Sequence, residues 1–118
     1  MEKYSRIKAL ISLDAIRYNF EQMKKNIKEG TKIIAVIKAD AYGHGAVPIA
    51  RMLEEFDYIW GFAAATAQEA LQLRRAGIKR PILILGLVFE EYYKKLAEND
   101  VRMAVCDYET ARKFNKAA

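Results

Sequence analysis

The sequence predicts an α/β fold of about four β/α units around a parallel sheet. Short apolar runs rich in β-branched residues recur at intervals of roughly 22 to 25 residues, somewhat below the roughly 30 of a typical barrel unit. Amphipathic segments with capping and stop signals lie between them. The central runs are almost wholly apolar, as strands covered on both faces are, whereas a half-exposed strand would alternate.

The run IKALISL, residues 7–13, alternates well enough to be a strand. Asp14 reads as the N-cap of a first helix, with Ile16, Phe20, Met23 and Ile27 at helical spacing and Gly30 as its stop. IIAVIK, residues 33–38, is the first buried strand. The helix that follows, 46–56, has Pro48 near its start and Val47, Ala50, Met52, Leu53 and Phe56 as its buried face. YIWGFAA, 58–64, is the second strand. Thr66 and Glu69 have the spacing of a capping box, and Gly77 closes the helix they open. Pro81 precedes the third strand, ILILG at 82–86, and Phe89, Tyr92, Tyr93 and Leu96 fall on one helical face beyond it. VRMAVC, 101–106, is the fourth strand, and Asp107 is placed to cap a last helix carrying Tyr108, Ala111 and Phe114.

Bulk properties narrow the function classes. The chain has 118 residues, of which 53% are hydrophobic and 30% charged, the composition of a globular domain with a real core and not of a disordered segment. No apolar run approaches the roughly 20 residues that span a bilayer, and MEKYSRIKAL lacks the apolar centre of a secretory leader. Cys106, the single cysteine, cannot form an internal disulfide, which fits a cytoplasmic protein; at the end of an apolar strand it reads as a small core residue. The net charge of +5 raises the question of nucleic acid. Its cations are scattered, with Lys24, Lys25 and Lys28 in one group and Arg74, Arg75, Lys79 and Arg80 in another, both near predicted helix ends. No aromatic residues interleave with them to stack bases, so a solvated basic surface is the reading. No spacing of His, Cys and carboxylates suggests a metal site. Trp60, Tyr92 and Tyr93 read as packing groups with a polar edge.

A complete (β/α)8 barrel takes about 250 residues, so this chain supplies about half of one. It stops at FNKAA inside a helical pattern, and truncation is the expectation. An open four-stranded parallel sheet would leave edges and an apolar face that a closed barrel hides, so the isolated chain is expected to pair with a second copy or to be poorly soluble.

The segment that carries chemistry is AVIKADAYGHGA, residues 35–46. Lys38 stands at the carboxyl end of a buried strand, the end at which barrels collect their reacting groups. A lysine there is by itself more often a solvated charge. Gly43 and Gly45 bracket His44 just beyond it and allow tight turns and close approach of a ligand to the main chain. Tyr42 offers a hydroxyl within a few residues. An amine and a hydroxyl so close suit a cofactor with an aldehyde at one end and a phosphate at the other. A primary amine condenses with an aldehyde to a Schiff base, and burial would favour its neutral, nucleophilic form. His44 is expected to bond within the glycine turn, and Asp40 to pair with Lys38 or to stabilise the turn.

VIKADAYGHGA resembles the cofactor-attachment motif of the alanine racemases. The likeness runs along the chain: ISLDAIRYNF resembles the opening of that family, GFAAATAQEALQLRRAGI its second unit and RPILILG its third. The resemblance implies a fold-type-III, TIM-type (β/α)8 barrel that binds pyridoxal 5'-phosphate, with residues 1–118 as its amino-terminal part. It implies that Lys38 holds the cofactor and acts as one of two catalytic bases, that Tyr42 contacts the phosphate, and that Val36 and Leu85 line the pocket. It further implies a cytoplasmic homodimer that interconverts L- and D-alanine for the bacterial cell wall. The second base would be a tyrosine from the partner's carboxyl-terminal domain, so the chain alone is not expected to racemise. Two other readings remain within the same chemistry: a serine or broad-specificity racemase, and a non-catalytic barrel that carries pyridoxal phosphate. A third, of another class, is a small doubly wound module that binds a phosphate or a partner protein; GHG is short for a phosphate loop.

Overall fold

The computed structural model describes residues 6–118. Residues 1–5, which open both the expected domain and the MEKYSRIKAL segment, lie outside the described residues. Four strands, β1 (Ile33–Val36), β2 (Ile59–Ala64), β3 (Ile82–Ile84) and β4 (Val101–Met103), form one parallel sheet in the order β1-β2-β3-β4. Every crossover steps the same way, so right-handed connections put their helices on one face of the sheet. A doubly wound sheet reverses at a switch point, and this order has none. The arrangement is that of a barrel segment.

The register sorts side chains between the two faces. Ala35, Phe62, Ile82 and Val101 lie in one row across the sheet, and all four are buried. They pack with Leu53, Leu71 and Leu96 from three helices, α3 (Ala46–Leu53), α4 (Ala67–Arg75) and α5 (Tyr93–Glu98). The next row, Val36, Ala63, Leu83 and Arg102, faces the other way, and there only Ala63 is buried.

Helix starts follow side-chain chemistry. Helix α1 (Leu13–Lys25) is capped by Ser12, whose hydroxyl accepts from the Ala15 N–H at 3.1 Å. The expected cap, Asp14, sits inside the first turn, where its charge complements the dipole. The helix also stops earlier than Gly30, at Lys25, with Asn26 as its cap. No strand forms over IKALISL: Ser12 is used as a cap, and Leu10 is exposed outside the sheet. Alternation alone makes no strand without a neighbouring ladder to join.

At α4 the Thr66 hydroxyl accepts from the Glu69 N–H at 3.2 Å, and Gly77, at φ +87°, follows its C-cap as expected. A short 3-10 turn, Glu90–Tyr92, precedes α5. Tyr93 and Leu96 are buried, but Phe89, expected on the same face, precedes the turn and is 77% exposed. Asp107 caps α6 (Tyr108–Ala117) by accepting from the Thr110 N–H at 2.7 Å, and Phe114 meets Tyr93 edge-on at 5.4 Å.

The fourth strand is shorter than VRMAVC. Its ladder ends where the Ala104 N–H donates to the Ile84 carbonyl at 3.0 Å. Cys106 is therefore exposed beyond the strand, not a core residue, with its thiol 3.7 Å from Asp107 Oδ2. Two of the basic residues are likewise not solvated surface. Arg74 donates to the carbonyls of Ile78, Arg80, Asn99 and Asp100 at 2.7–2.9 Å. Arg80 donates to those of Glu54, Phe56 and Ile59, while Glu54 Oε1 accepts from the Lys79 and Arg80 N–H groups. Both guanidinium groups staple loops at the amino ends of the strands. Among the described residues, no helix is long and apolar enough to cross a membrane.

Two predictions follow from these contacts. A Cβ at Gly61 would lie 2.2 Å from the Pro81 carbonyl oxygen, which accepts from the Phe62 N–H at 2.9 Å. Gly61→Ala should cost about 1–3 kcal/mol by forcing β2 and β3 apart, read as a lower urea midpoint; an unchanged midpoint would refute the close approach. The second concerns Asp107. The Thr110 N–H holds its carboxyl below the usual carboxylate range, so the unfolded chain takes up this proton first as pH falls. Its support of α6 is full above the ordinary Asp value and is lost as pH drops through the lowered one. Asp107→Asn, a cap that does not titrate, should remove the acid-dependent shift of the Thr110 amide signal in NMR spectra.

Candidate active site

The β1 ladder runs one residue past the strand, with the Ile37 N–H donating to the Ala63 carbonyl at 2.9 Å. Lys38 follows at the carboxyl end of the sheet, half-buried. The chain then turns the wrong way for L-residues. Ala39, Asp40, Ala41 and Tyr42 have φ of 49°, 53°, 54° and 56°, so α2 (Lys38–Tyr42) is a single left-handed turn. The Ala41 N–H donates to the Ile37 carbonyl at 3.0 Å and the Gly43 N–H to that of Ala39 at 3.1 Å. Each left-handed residue with a Cβ costs about 1–2 kcal/mol, so the surroundings must hold the turn. Gly43 and Gly45, at φ +87° and +94°, carry the chain out of it where a Cβ would add strain.

The polar residues of the motif serve this geometry. The Asp40 carboxylate accepts from the Ala46 N–H at 2.8 Å and so satisfies the first turn of α3. It takes the turn-stabilising role and makes no ion pair with Lys38. His44 Nδ1 lies 3.0 Å from the Ala41 carbonyl; a carbonyl only accepts, so that nitrogen carries the proton. The histidine is tied into the glycine turn.

The turn brings the first and last of its residues together. Lys38 Nζ lies 6.0 Å from the centre of the Tyr42 ring, and Tyr42 is 62% exposed. Val36 and Leu85 stand on the sheet face that no helix covers, 42% and 48% exposed. Leu85 is held beside β2 by its N–H, which donates to the Ala64 carbonyl at 2.9 Å. Gly86 follows because a Cβ there would meet the Ala65 carbonyl oxygen at 2.7 Å. An amine, a phenol and two apolar side chains thus occur at the carboxyl end of the open face. They could attach a carbonyl compound, bond its anionic arm and cover part of an aromatic ring.

Sequence reasoning missed one contributor. The Glu69 carboxylate, expected to complete a capping box with the Thr66 N–H, accepts from the N–H groups of Ala65 at 2.7 Å and Ala39 at 3.0 Å. The T-x-x-E spacing marked Glu69, but nothing local marks a partner 30 residues away.

Comparison with known proteins identifies the family and the fold. The family model "Alanine racemase, N-terminal domain" matches residues 11–118. Alanine racemase 1 of Caldanaerobacter subterraneus subsp. tengcongensis is 44% identical over 108 residues, which is 90% of this chain and 27% of the relative. The structure of alanine racemase from Clostridium difficile in complex with cycloserine superposes with a TM-score of 0.87 at 42% identity, over 91% of this chain and 29% of that one. That of alanine racemase from Bacillus anthracis with bound L-Ala-P gives 0.82 at 40% identity, over 91% and 28%. The chain spans about a quarter of the length of the relatives it matches.

The strain in the turn is measurable. Ala39 is exposed, so Ala39→Gly removes little packing while relieving a left-handed Cβ. After the entropy lost by a more flexible unfolded chain, the variant should be more stable by about 0.5–1 kcal/mol. A lower melting temperature would show that the turn is not left-handed at this residue.

Proposed function

Because the chain belongs to the alanine racemase N-terminal domain family, we propose that it is the cofactor-holding part of a pyridoxal-phosphate enzyme that interconverts L- and D-alanine. The protein would act as a cytoplasmic homodimer on a free amino acid. The observation that carries the reading is the meeting of Lys38 and Tyr42 on one left-handed turn at the carboxyl end of β1.

The residues present fit the cofactor by their chemistry. Lys38 offers the amine that an aldehyde requires, Tyr42 the hydroxyl that a phosphate oxygen accepts from, and Val36 and Leu85 the apolar surface that suits a ring. Pyridoxal phosphate, when bound, supplies the aldehyde for attachment and a ring that draws electrons away from the substrate Cα. Lys38 would hold the cofactor through its amine and would be the group that takes or returns a proton at the substrate Cα. Tyr42 would hold the phosphate end, and its position four residues on sets its ring 6.0 Å from the Lys38 amine. Val36 and Leu85 would cover part of the ring. Inversion at Cα needs a second proton carrier on the opposite face, a role for the partner subunit's other domain by family resemblance. The cycloserine complex of the Clostridium difficile relative supports a small amino-acid ligand.

Incubation of the chain with pyridoxal phosphate should produce an absorbance band that borohydride reduction abolishes, with the reduced adduct mapped to Lys38. Lys38→Ala should produce neither the band nor the adduct. A band that survives in Lys38→Ala, or an adduct on another lysine, would overturn the assignment.

A further inference from the structure

Lys38 is followed by an amide that the rest of its own turn leaves without an acceptor. A helical turn of either hand lacks partners for its first N–H groups, and Ala39 supplies one of them. That N–H donates to Glu69 Oε1 at 3.0 Å. The other oxygen of the same carboxylate accepts from the Ala65 N–H at 2.7 Å, in the loop between β2 and α4. One half-buried side chain therefore ties together the loops that leave two adjacent strands.

The bond is of a strong kind, a backbone donor on a charged acceptor. Its place is also particular. Asp40 anchors the exit of the left-handed segment to the start of α3, and Glu69 anchors its entry to α4. Between the two anchored amides, those of Ala39 and Ala46, lie the positive-φ residues of the turn, which persist only where tertiary contacts hold them. Without the entry anchor, the Lys38–Ala39 peptide loses its tie to α4, and the left-handed turn that sets Lys38 near Tyr42 keeps only its own bonds and the one made by Asp40. Thr66 separates this role from capping, since it accepts from the Glu69 N–H and needs nothing from the carboxylate.

We propose that Glu69 is a positioning residue for Lys38: by accepting the Ala39 N–H it holds the left-handed turn and aims the lysine amine toward the side of Tyr42. The proposal rests on the reading of Lys38 as the cofactor lysine. A residue that only capped α4 would affect helix stability and nothing at residues 38–42.

The test compares the full chain with Glu69→Gln and Thr66→Ala. Glu69→Gln keeps the size of the side chain but has one accepting oxygen for two donors and no charge. Two readouts are needed: hydrogen exchange at the Ala39 amide without cofactor, and the rate at which pyridoxal phosphate forms a borohydride-trapped adduct on Lys38. In Glu69→Gln, Ala39 exchange should rise about tenfold or more and adduct formation should slow about tenfold, while the Phe62 and Leu85 amides of the sheet stay protected. Thr66→Ala should destabilise α4 without either change at residues 38 and 39. Unchanged Ala39 exchange in Glu69→Gln would overturn the proposal, and so would faster exchange with an unaltered adduct rate. Equal effects in Thr66→Ala would reduce Glu69 to a cap and overturn it too. Failure of the parent chain to form any adduct on Lys38 would instead overturn the cofactor reading, and the proposal with it, a result distinct from all the others.

Discussion

Burial of one face of the parallel sheet governs the rest of the molecule. Phe62, Ile82 and Ile84 are fully buried beneath the helices, together with Leu53 and Leu96. Removing such side chains from water is the main favourable term, at about 1.5–3 kcal/mol for each large apolar group. Because the four strands succeed one another without reversal, the crossover helices α3, α4 and α5 are committed to that face. The opposite face is left to Val36, Leu83, Leu85 and Arg102, and the proposed site lies at its carboxyl end. The staples formed by Arg74 and Arg80 lie at the other end, where their guanidinium groups donate to loop carbonyls.

A second layer of constraint acts on the few residues after β1. Right-handed helix would continue from Lys38 at no conformational cost, yet the chain takes the opposite hand for four residues. The gain is positional. A left-handed turn folds the segment back compactly, places Tyr42 beside Lys38, and delivers the chain through Gly43 and Gly45 to the start of α3. Its polar contacts reach outward to the neighbouring helices through Glu69 and Asp40, and inward through His44. Strain of this sort is common at functional sites, where geometry is worth more than local stability.

Much of this was legible in the residues. Apolar runs located all four strands, and the caps Thr66 and Asp107 and the stop Gly77 were evident from local chemistry alone. The misreadings share a cause. IKALISL alternates like a strand but has no ladder to join, VRMAVC outruns the length of β3 beside it, and Phe89 fits a helical face that its own chain does not extend to cover. Ser12 displaced Asp14 as a cap because either oxygen suits the position and the fold decides where the helix begins. Arg74 and Arg80 looked like solvated charge because nothing in sequence shows which carbonyls will lie unpaired nearby.

By itself, then, the sequence determined the alternation of strands and helices, the parallel sheet, and the motif of Lys38, Tyr42, Gly43 and Gly45, because periodicity, caps and turn residues act over a few positions. Only the tertiary structure decided the hand of the turn at residues 39–42, the row that sets Val36 and Leu85 on the open face, and the tie from Glu69 to Ala39. Those features join residues far apart in the chain, and their energies arise only when packing has brought the partners together. KADAY is a good right-handed helix by propensity, and contacts beyond its own neighbours turn it the other way.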